Sequence, residues 1–344
     1  MLIIENPEKP KAPSHLVITA PPLMIETNSM NLFQKSFIAI GKILFVGLLC
    51  GTASIVSQGN EPQKASAKPS LVAADASLQL VVGDCKFSEG PAADKDGNVY
   101  FTDQPNDRIV RVGVDGVVSD FLKPAGRSNG MFFAPDGKLI ACADENNEMW
   151  EIDANGKRRV LFDSFADKKL NGPNDVWVHP TLPVMYFTDP YYPRPWWKHK
   201  TKPQDTQAIY RVDRDGKNVE RLNFEFVQPN GIVGDTSRSL LYVADIGEKK
   251  TYVFKIGSDC SLSDRRLFCE EGSDGMTIDE LGNVYLTGKS GVGVFAPDGT
   301  KLETIAIPEK WTANVCFGGA DRKTLFVTAS DSLYTVKMNV AGMR

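Results

Sequence analysis

The chain has 344 residues, a formal net charge of −4 and 42% apolar side chains. So mild a balance offers no basic face for a nucleic acid, and the apolar share is that of a core-forming globular protein rather than a disordered one. The six cysteines (Cys50, Cys85, Cys142, Cys260, Cys269 and Cys316) lie far apart with no CxxC pair, which excludes a zinc framework and a disulfide-dense scaffold.

Residues 1–76 read as an N-terminal extension. An apolar run, Ile43 to Val56, follows Lys35 and Lys42 and precedes Ala65-Ser66-Ala67. Basic flank, short apolar run and small-residue site together read as a secretory signal; since such a signal begins near Met30 here, either translation starts at Met30 or the segment is an uncleaved anchor. The run is too short and Gly-rich for a membrane span, and no polar periodicity around it suggests a core helix. A periplasmic or secreted location is expected, with the mature domain free of the membrane. An uncleaved segment would instead anchor it.

From Leu78 the sequence repeats. Strand-like runs end in an acid: NVYFTD at Asp103, LIACAD at Asp144, VMYFTD at Asp189 and LLYVAD at Asp245. Each is followed by a further alternating run, such as RIVRV, EMWEI, AIYRV or TYVFKI, and Asp-Gly or Asn-Gly turns separate the runs. This is hairpin chemistry. The unit restarts near Gly90, Gly130, Asp175, Gly231, Gly275 and Val315, about every 40–56 residues. A period near 40 with four strands per unit means propeller blades. Residues 77–344 therefore read as an all-β, six-bladed β-propeller with four antiparallel strands per blade. The last unit lacks its outer strand, and SLQLVVG (77–83) is expected to supply it. A pair of sandwiches would not explain six similar units. Cys260 and Cys269 flank a hairpin turn and would pair if the register set them opposite.

Strand parity locates the site. In an antiparallel blade the first strand runs down the central channel and the second returns. The openings of first strands thus share a face with loops joining second and third strands. The openings read FSEGP (87–91), SNGM (128–131), NGPND (171–175), QPNGI (228–232), SDGM (273–276) and TANVCFGG (312–319). They set Glu89, Asn129, Asn174, Asn230, Asp274 and Asn314 at one channel mouth. Singly, each is an ordinary turn sequence. Recurring at one phase, their oxygens suit a hard cation, Ca²⁺ or Mg²⁺, rather than a thiophilic metal. Spacing alone leaves a ring of structural turns equally open.

As an ordered set, FSEGP, NGPND with YFTDP, PNGI, SDGM and CFGG resemble the SMP30/gluconolactonase/LRE family of six-bladed propellers, over about residues 78–338. The resemblance implies one divalent cation in the channel, Ca²⁺ first with Mg²⁺, Mn²⁺ or Zn²⁺ as alternatives, and hydrolysis of a lactone or related ester. It implies metal-binding roles for Glu89, Asn230 and Asp274, and a metal- or substrate-binding role for Asn174. Relatives carry an arginine shortly before the PND motif. Here Lys168-Lys169-Leu170 stands, and Lys169 is expected to replace it as a point charge lacking the planar fork.

A bound divalent ion polarises a carbonyl and acidifies water, and Asp274 is expected to steer or deprotonate that water as well. Asn129, Asn174, Arg127, Lys169, Tyr191 and Trp196 are the expected substrate contacts. The insertion DPYYPRPWWKHKTKPQDT (189–206) lies by parity on the active face. There Tyr191, Tyr192, Trp196 and Trp197 would partly cover the mouth, or else the loop packs on a neighbouring blade. Asp103, Asp144, Asp189 and Asp245 read as blade architecture, accepting backbone N–H groups. There is no G-x-S-x-G elbow, and His15, His179 and His199 do not cluster with a serine, so no covalent nucleophile is expected. The expected partner is a small lactone or ester. The competing readings are a metal-dependent phosphoesterase or organophosphate hydrolase and a non-enzymatic ligand-binding propeller. Strictosidine-synthase-like chemistry shares the fold but needs no such ligand set.

Overall fold

The computed structural model describes residues 70–343. The signal-like segment and Met30 lie outside them. Among the described residues no helix is long and apolar enough to cross a membrane, and the one helical turn is Gln104–Asn106.

Six four-stranded antiparallel sheets make the body. From the channel outward, blade 1 is Ser88–Ala93, Val99–Asp103, Arg108–Val112 and Val118–Leu122. Blade 2 is Ser128–Phe133, Leu139–Ala143, Glu148–Ile152 and Arg158–Phe162. Blade 3 is Val176–Val178, Val184–Asp189, Ala208–Asp213 and Glu220–Arg221. Blade 4 is Pro229–Asp235, Leu240–Asp245, Lys250–Ile256 and Leu262–Cys269. Blade 5 is Met276–Ile278, Val284–Gly288, Gly291–Phe295 and Lys301–Ile305. Blade 6 is Thr312–Gly318, Thr324–Ala329 and Ser332–Lys337, and its outer strand is Gln79–Val82 from the start of the domain. The expected closure by residues 77–83 is what the register shows, with Leu80 opposite Tyr334.

The apolar runs look continuous because each blade is sandwiched between two others. Successive side chains point to opposite faces of a strand. Val99 and Phe101 join the apolar cluster shared with blade 6, while Tyr100 between them packs towards blade 2. Val184 and Tyr186 face blade 4, while Met185 and Phe187 face blade 2. Each neighbouring pair of blades thus encloses one apolar cluster, and the core is a ring of such interfaces. A fully buried large apolar side chain contributes about 1.5–3 kcal/mol, so each interface is substantial.

Three of the acids ending second strands bond the chain entering their own blade. Asp103 accepts the N–H groups of Lys86 (3.0 Å) and Phe87 (3.4 Å). Asp189 accepts those of Asn171 and Gly172, both at 2.9 Å. Asp245 accepts those of Val227 (2.7 Å) and Gln228 (2.9 Å). Asp144 corrects the architectural reading, because its carboxylate accepts no backbone N–H and bonds only the side chains of Gln104 and Arg194. Cys260 and Cys269 are both free thiols. Cys260 sits in the hairpin turn, whereas Cys269 ends the eight-residue strand Leu262–Cys269 and pairs with Thr251, so the strand separates them.

Candidate active site at the channel mouth

The polar residues reach the channel because the inner strands break register there. The ladder slips between Glu89 and Ala92, Ser128 and Met131, Pro229 and Ile232, and Thr312 and Asn314. A bulge bends a strand and re-aims its side chains, which here turns Glu89, Asn129, Asn230 and Asn314 towards the axis. The glycine after three of them answers a close approach by the next blade. Gly90 has φ +44°, and a Cβ there would lie 2.0 Å from the Asn129 carbonyl oxygen.

Glu89 and Asp274 share the mouth with Asn230. Asn230 Nδ2 donates to Asp274 Oδ1 (2.8 Å) and to Tyr192 Oη (2.9 Å). These two acceptors fix the amide's orientation and leave its Oδ1 buried with no partner. Asn129 Oδ1 is also buried and unpartnered. Trp311 Nε1 donates to Asp274 Oδ2 (2.6 Å). Glu89 Oε2 accepts the N–H of Gly90 (2.9 Å), and the Asn314 amide lies close enough to act on the same carboxyl. Asp175, one residue beyond the expected Asn174, faces the same channel and accepts both its bonds from Asn314 Nδ2, at 3.1 and 3.2 Å.

Burial raises the affinity of all three acids for protons, and neighbouring charge adds to it at Glu89 and Asp175. Burial pushes the Glu89 carboxyl well above its ordinary range, and the charges of Asp274 and Asp175 push the same way. Asp175 is likewise raised by burial and then by Asp274. Asp274 rises to about 6 through burial, against the pull of Trp311, Asn230 and Arg194. Part of its surface stays open at the mouth, yet packed protein surrounds the carboxylate. A set of acids held where their charges conflict is a candidate functional site.

The fit to a cation follows from these observations. Buried amide oxygens without donors and carboxylates that resist ionisation are both relieved by a positive ion. The donors are all oxygen, which suits a hard divalent cation. Among the described residues no three His, Cys, Asp or Glu side chains gather as a ready-made ligand cluster. The set would therefore be two acids completed by amides. A cavity of about 110 Å³ continues below, lined by Gly90, Met131, Asp175, Met276, Asn314 and Met343. The tail closes its floor, with Gly342 N bonded to Arg322 O (2.9 Å) and Met343 N to Ile278 O (3.0 Å).

The remaining sequence candidates divide. Asn174 is buried beside the channel and its carbonyl accepts the N–H of Gly130 (2.7 Å). Arg127 lies with its guanidinium 4.7 Å from the Trp196 ring centroid. Lys169 is half exposed on the small hairpin Ser164–Phe165/Lys168–Lys169 and ion-paired with Asp163. The insertion splits its aromatics. Trp197 is buried, stacked between Tyr191 (6.0 Å) and His199 (4.7 Å), and anchors the loop. Tyr192 alone reaches the cluster, through Asn230. Sequence reasoning missed Asp175, Trp311 and Arg194. Asp175 alone had a signal, as the acid at the third blade's start.

A six-bladed propeller whose channel mouth gathers acids and amides from separate blades defines a class of protein. The chain belongs to the family described as SMP-30/Gluconolactonase/LRE-like region, which it matches over residues 87–331. It is 29% identical to a gluconolactonase of Zymomonas mobilis over 295 residues, 77% of this chain and 82% of that one. It is 25% identical to the pentonolactonase XacC of Haloferax volcanii over 266 residues, 73% of this chain and 84% of that one. A solved gluconolactonase from Xanthomonas campestris superposes with a TM-score of 0.72 at 27% identity, covering 78% of this chain and 91% of that one.

Proposed function

We propose that this protein hydrolyses a small lactone, using a divalent cation held at the channel mouth. The observation that carries the reading is the joint presence of Glu89, Asp274 and the unpartnered oxygens of Asn129 and Asn230 in one polar mouth. Family membership and two relatives named as sugar-lactone hydrolases support the substrate class.

Glu89, Asn230 and Asp274 would hold the ion, with Asn174 as a further oxygen. When bound, a hard divalent cation, Ca²⁺ by preference, polarises the ester carbonyl and acidifies water. The chain supplies the rest. Asp274, its carboxyl raised to about 6, is ionised near neutral pH yet basic enough to accept a proton from attacking water. Trp311 and Asn230 hold its two oxygens in place, so that it does not reorient between turnovers. Burial raises the Tyr192 phenol and keeps it neutral, leaving it a hydrogen-bonding group beside the reacting carbonyl. Asn129 is available to position substrate hydroxyls.

The test is hydrolysis of δ-gluconolactone after exhaustive chelation, followed by return of Ca²⁺, Mg²⁺, Mn²⁺ or Zn²⁺ singly. Activity should vanish and be restored best by one ion. Undiminished turnover after chelation would reject the cation, and no turnover with any ion would reject the lactone.

A further inference from the structure

Asp144 departs from the other three second-strand acids in a way that exposes a function. At the entry to blade 2 its expected work falls to Asp107, whose Oδ1 accepts the N–H groups of Ala125 (2.9 Å) and Arg127 (2.8 Å). Asp144 is thereby free to serve the insertion. Its Oδ2 accepts from Gln104 Nε2 (3.0 Å) and Arg194 Nε (2.8 Å), and its backbone carbonyl takes Trp197 Nε1 (2.6 Å). A buried carboxylate needs a matching cation, and Arg194 is the one ion-paired with it.

The pair spends only one edge of the guanidinium. Arg194 Nη1 and Nη2 make no hydrogen bond among the described residues, and the side chain keeps 19% of its surface exposed. The group lies 5.6 Å from the Tyr192 ring centroid and 5.8 Å from that of Trp196. Tyr192 touches Asn230, and Asn230 touches Asp274, on whose carboxylate the Arg194 charge acts directly. The unspent fork therefore stands beside the reacting centre, carried on an element that the aromatic stack holds fixed.

We infer that Arg194 is a substrate-binding residue, which grips the oxygen-rich end of a hydroxylated lactone, and the carboxylate of its ring-opened acid, through Nη1 and Nη2. Asp144 is its positioning residue. The inference rests on the lactone reading for its substrate class. A guanidinium fork matches two oxygens at once, whether vicinal hydroxyls or a carboxylate, as a lysine cannot. It would also supply the planar fork that Lys169, ion-paired with Asp163 on its own hairpin, lacks.

The test combines binding with turnover. D-gluconate binding is measured by calorimetry for the wild type, Arg194→Lys, Asp144→Asn and the double variant Asp144→Asn/Arg194→Met. The double variant removes both charges and so leaves no unpaired buried ion. Hydrolysis is followed on δ-gluconolactone and on δ-valerolactone, which has the ring without hydroxyls. Losing a charged bidentate contact should weaken gluconate binding roughly 10–100-fold in the double variant and in Arg194→Lys. Asp144→Asn should lose less than Arg194→Lys does, as a misdirected but intact fork would. KM for δ-gluconolactone should rise in step and by more than KM for δ-valerolactone, while any change in kcat from the lost charge near Asp274 should fall on both rings alike. Equal gluconate affinity in wild type and double variant would overturn the inference. So would a wild type that does not bind gluconate, or equal losses on the bare and hydroxylated rings. Arg194-dependent gluconate binding without turnover of either lactone would sink the lactonase reading and leave the grip standing.

Discussion

At the scale of single residues, the site is an arrangement of mutual discomfort. Burial makes Glu89, Asp175 and Asp274 each harder to ionise, and the Asp274 charge adds to the effect on Glu89 and Asp175. A metal ligand must be deprotonated to bind, so protons and cation compete. Asp274 has its carboxyl raised to about 6, so below that pH the cation-free protein holds a proton which the cation must displace. Glu89 is raised in the same direction, so its proton competes with a cation as well. Apparent Ca²⁺ affinity should therefore rise with pH across about 5 to 7, by about tenfold per unit for each proton displaced. Calorimetric titration with CaCl₂ at several pH values measures it. A flat affinity would remove both acids from the site. Glu89, Asn129, Asn230 and Asp274 were legible because they recur at one phase of the repeat. Trp311 and Arg194 were not, since each joins the site through a partner far off in the chain, Asp274 and Asp144, and contacts across sequence leave no periodic mark.

At the scale of elements, the strands were legible almost throughout, because alternation and Asp-Gly turns are local chemistry. The insertion was not. Whether its aromatics cover the mouth or pack down depends on Asp144, whose carbonyl takes Trp197, and nothing near residue 197 announces that partner. The inner strands carry a clearer demand. Their site-proximal glycines are spaces into which the next blade fits. A Cβ on Gly130 would lie 2.0 Å from Asp175 Oδ1 and 2.4 Å from the Asn174 carbonyl oxygen, while Gly130 N–H bonds that same carbonyl at 2.7 Å. Gly130→Ala must push the inner strands of blades 2 and 3 apart. Overpacking of this kind costs about 1–3 kcal/mol, or about 2–10 °C in thermal midpoint for a domain of this size. Gly288→Ala is the control, because nothing lies within 4 Å of the added methyl. Scanning calorimetry should separate the two variants. Equal midpoints would mean that the blades yield more easily than their geometry indicates.

At the scale of the whole molecule, stability depends on a closed ring. Each blade's apolar faces are satisfied only by its two neighbours, so one poorly formed blade exposes two interfaces. Blade 6 is the vulnerable one, since Gln79–Val82 from one end of the domain pairs with Ser332–Lys337 from the other. The segment ahead of it is tied down as well. Leu71 N–H donates to Glu303 (2.9 Å), and Ala73 N–H to the Lys337 carbonyl (3.0 Å). Leu71, Val72, Ala76 and Leu78 pack on the cluster between blades 5 and 6, and Val81 and Val82 on that between blades 6 and 1. A chain beginning at residue 84 would lose these half-buried side chains relative to one beginning at residue 70. At roughly 1 kcal/mol each, the loss is about 6 kcal/mol, which should lower the thermal midpoint by about 12–24 °C. It would also leave Ser332–Lys337 as an open edge with unpaired backbone groups, a template for pairing with another chain. The shorter chain should therefore both melt early and self-associate in light scattering, whereas the longer one stays at a constant mass. Matching midpoints for the two chains would show that blade 6 stands without its borrowed strand, and that the ring is held by inner-strand packing alone.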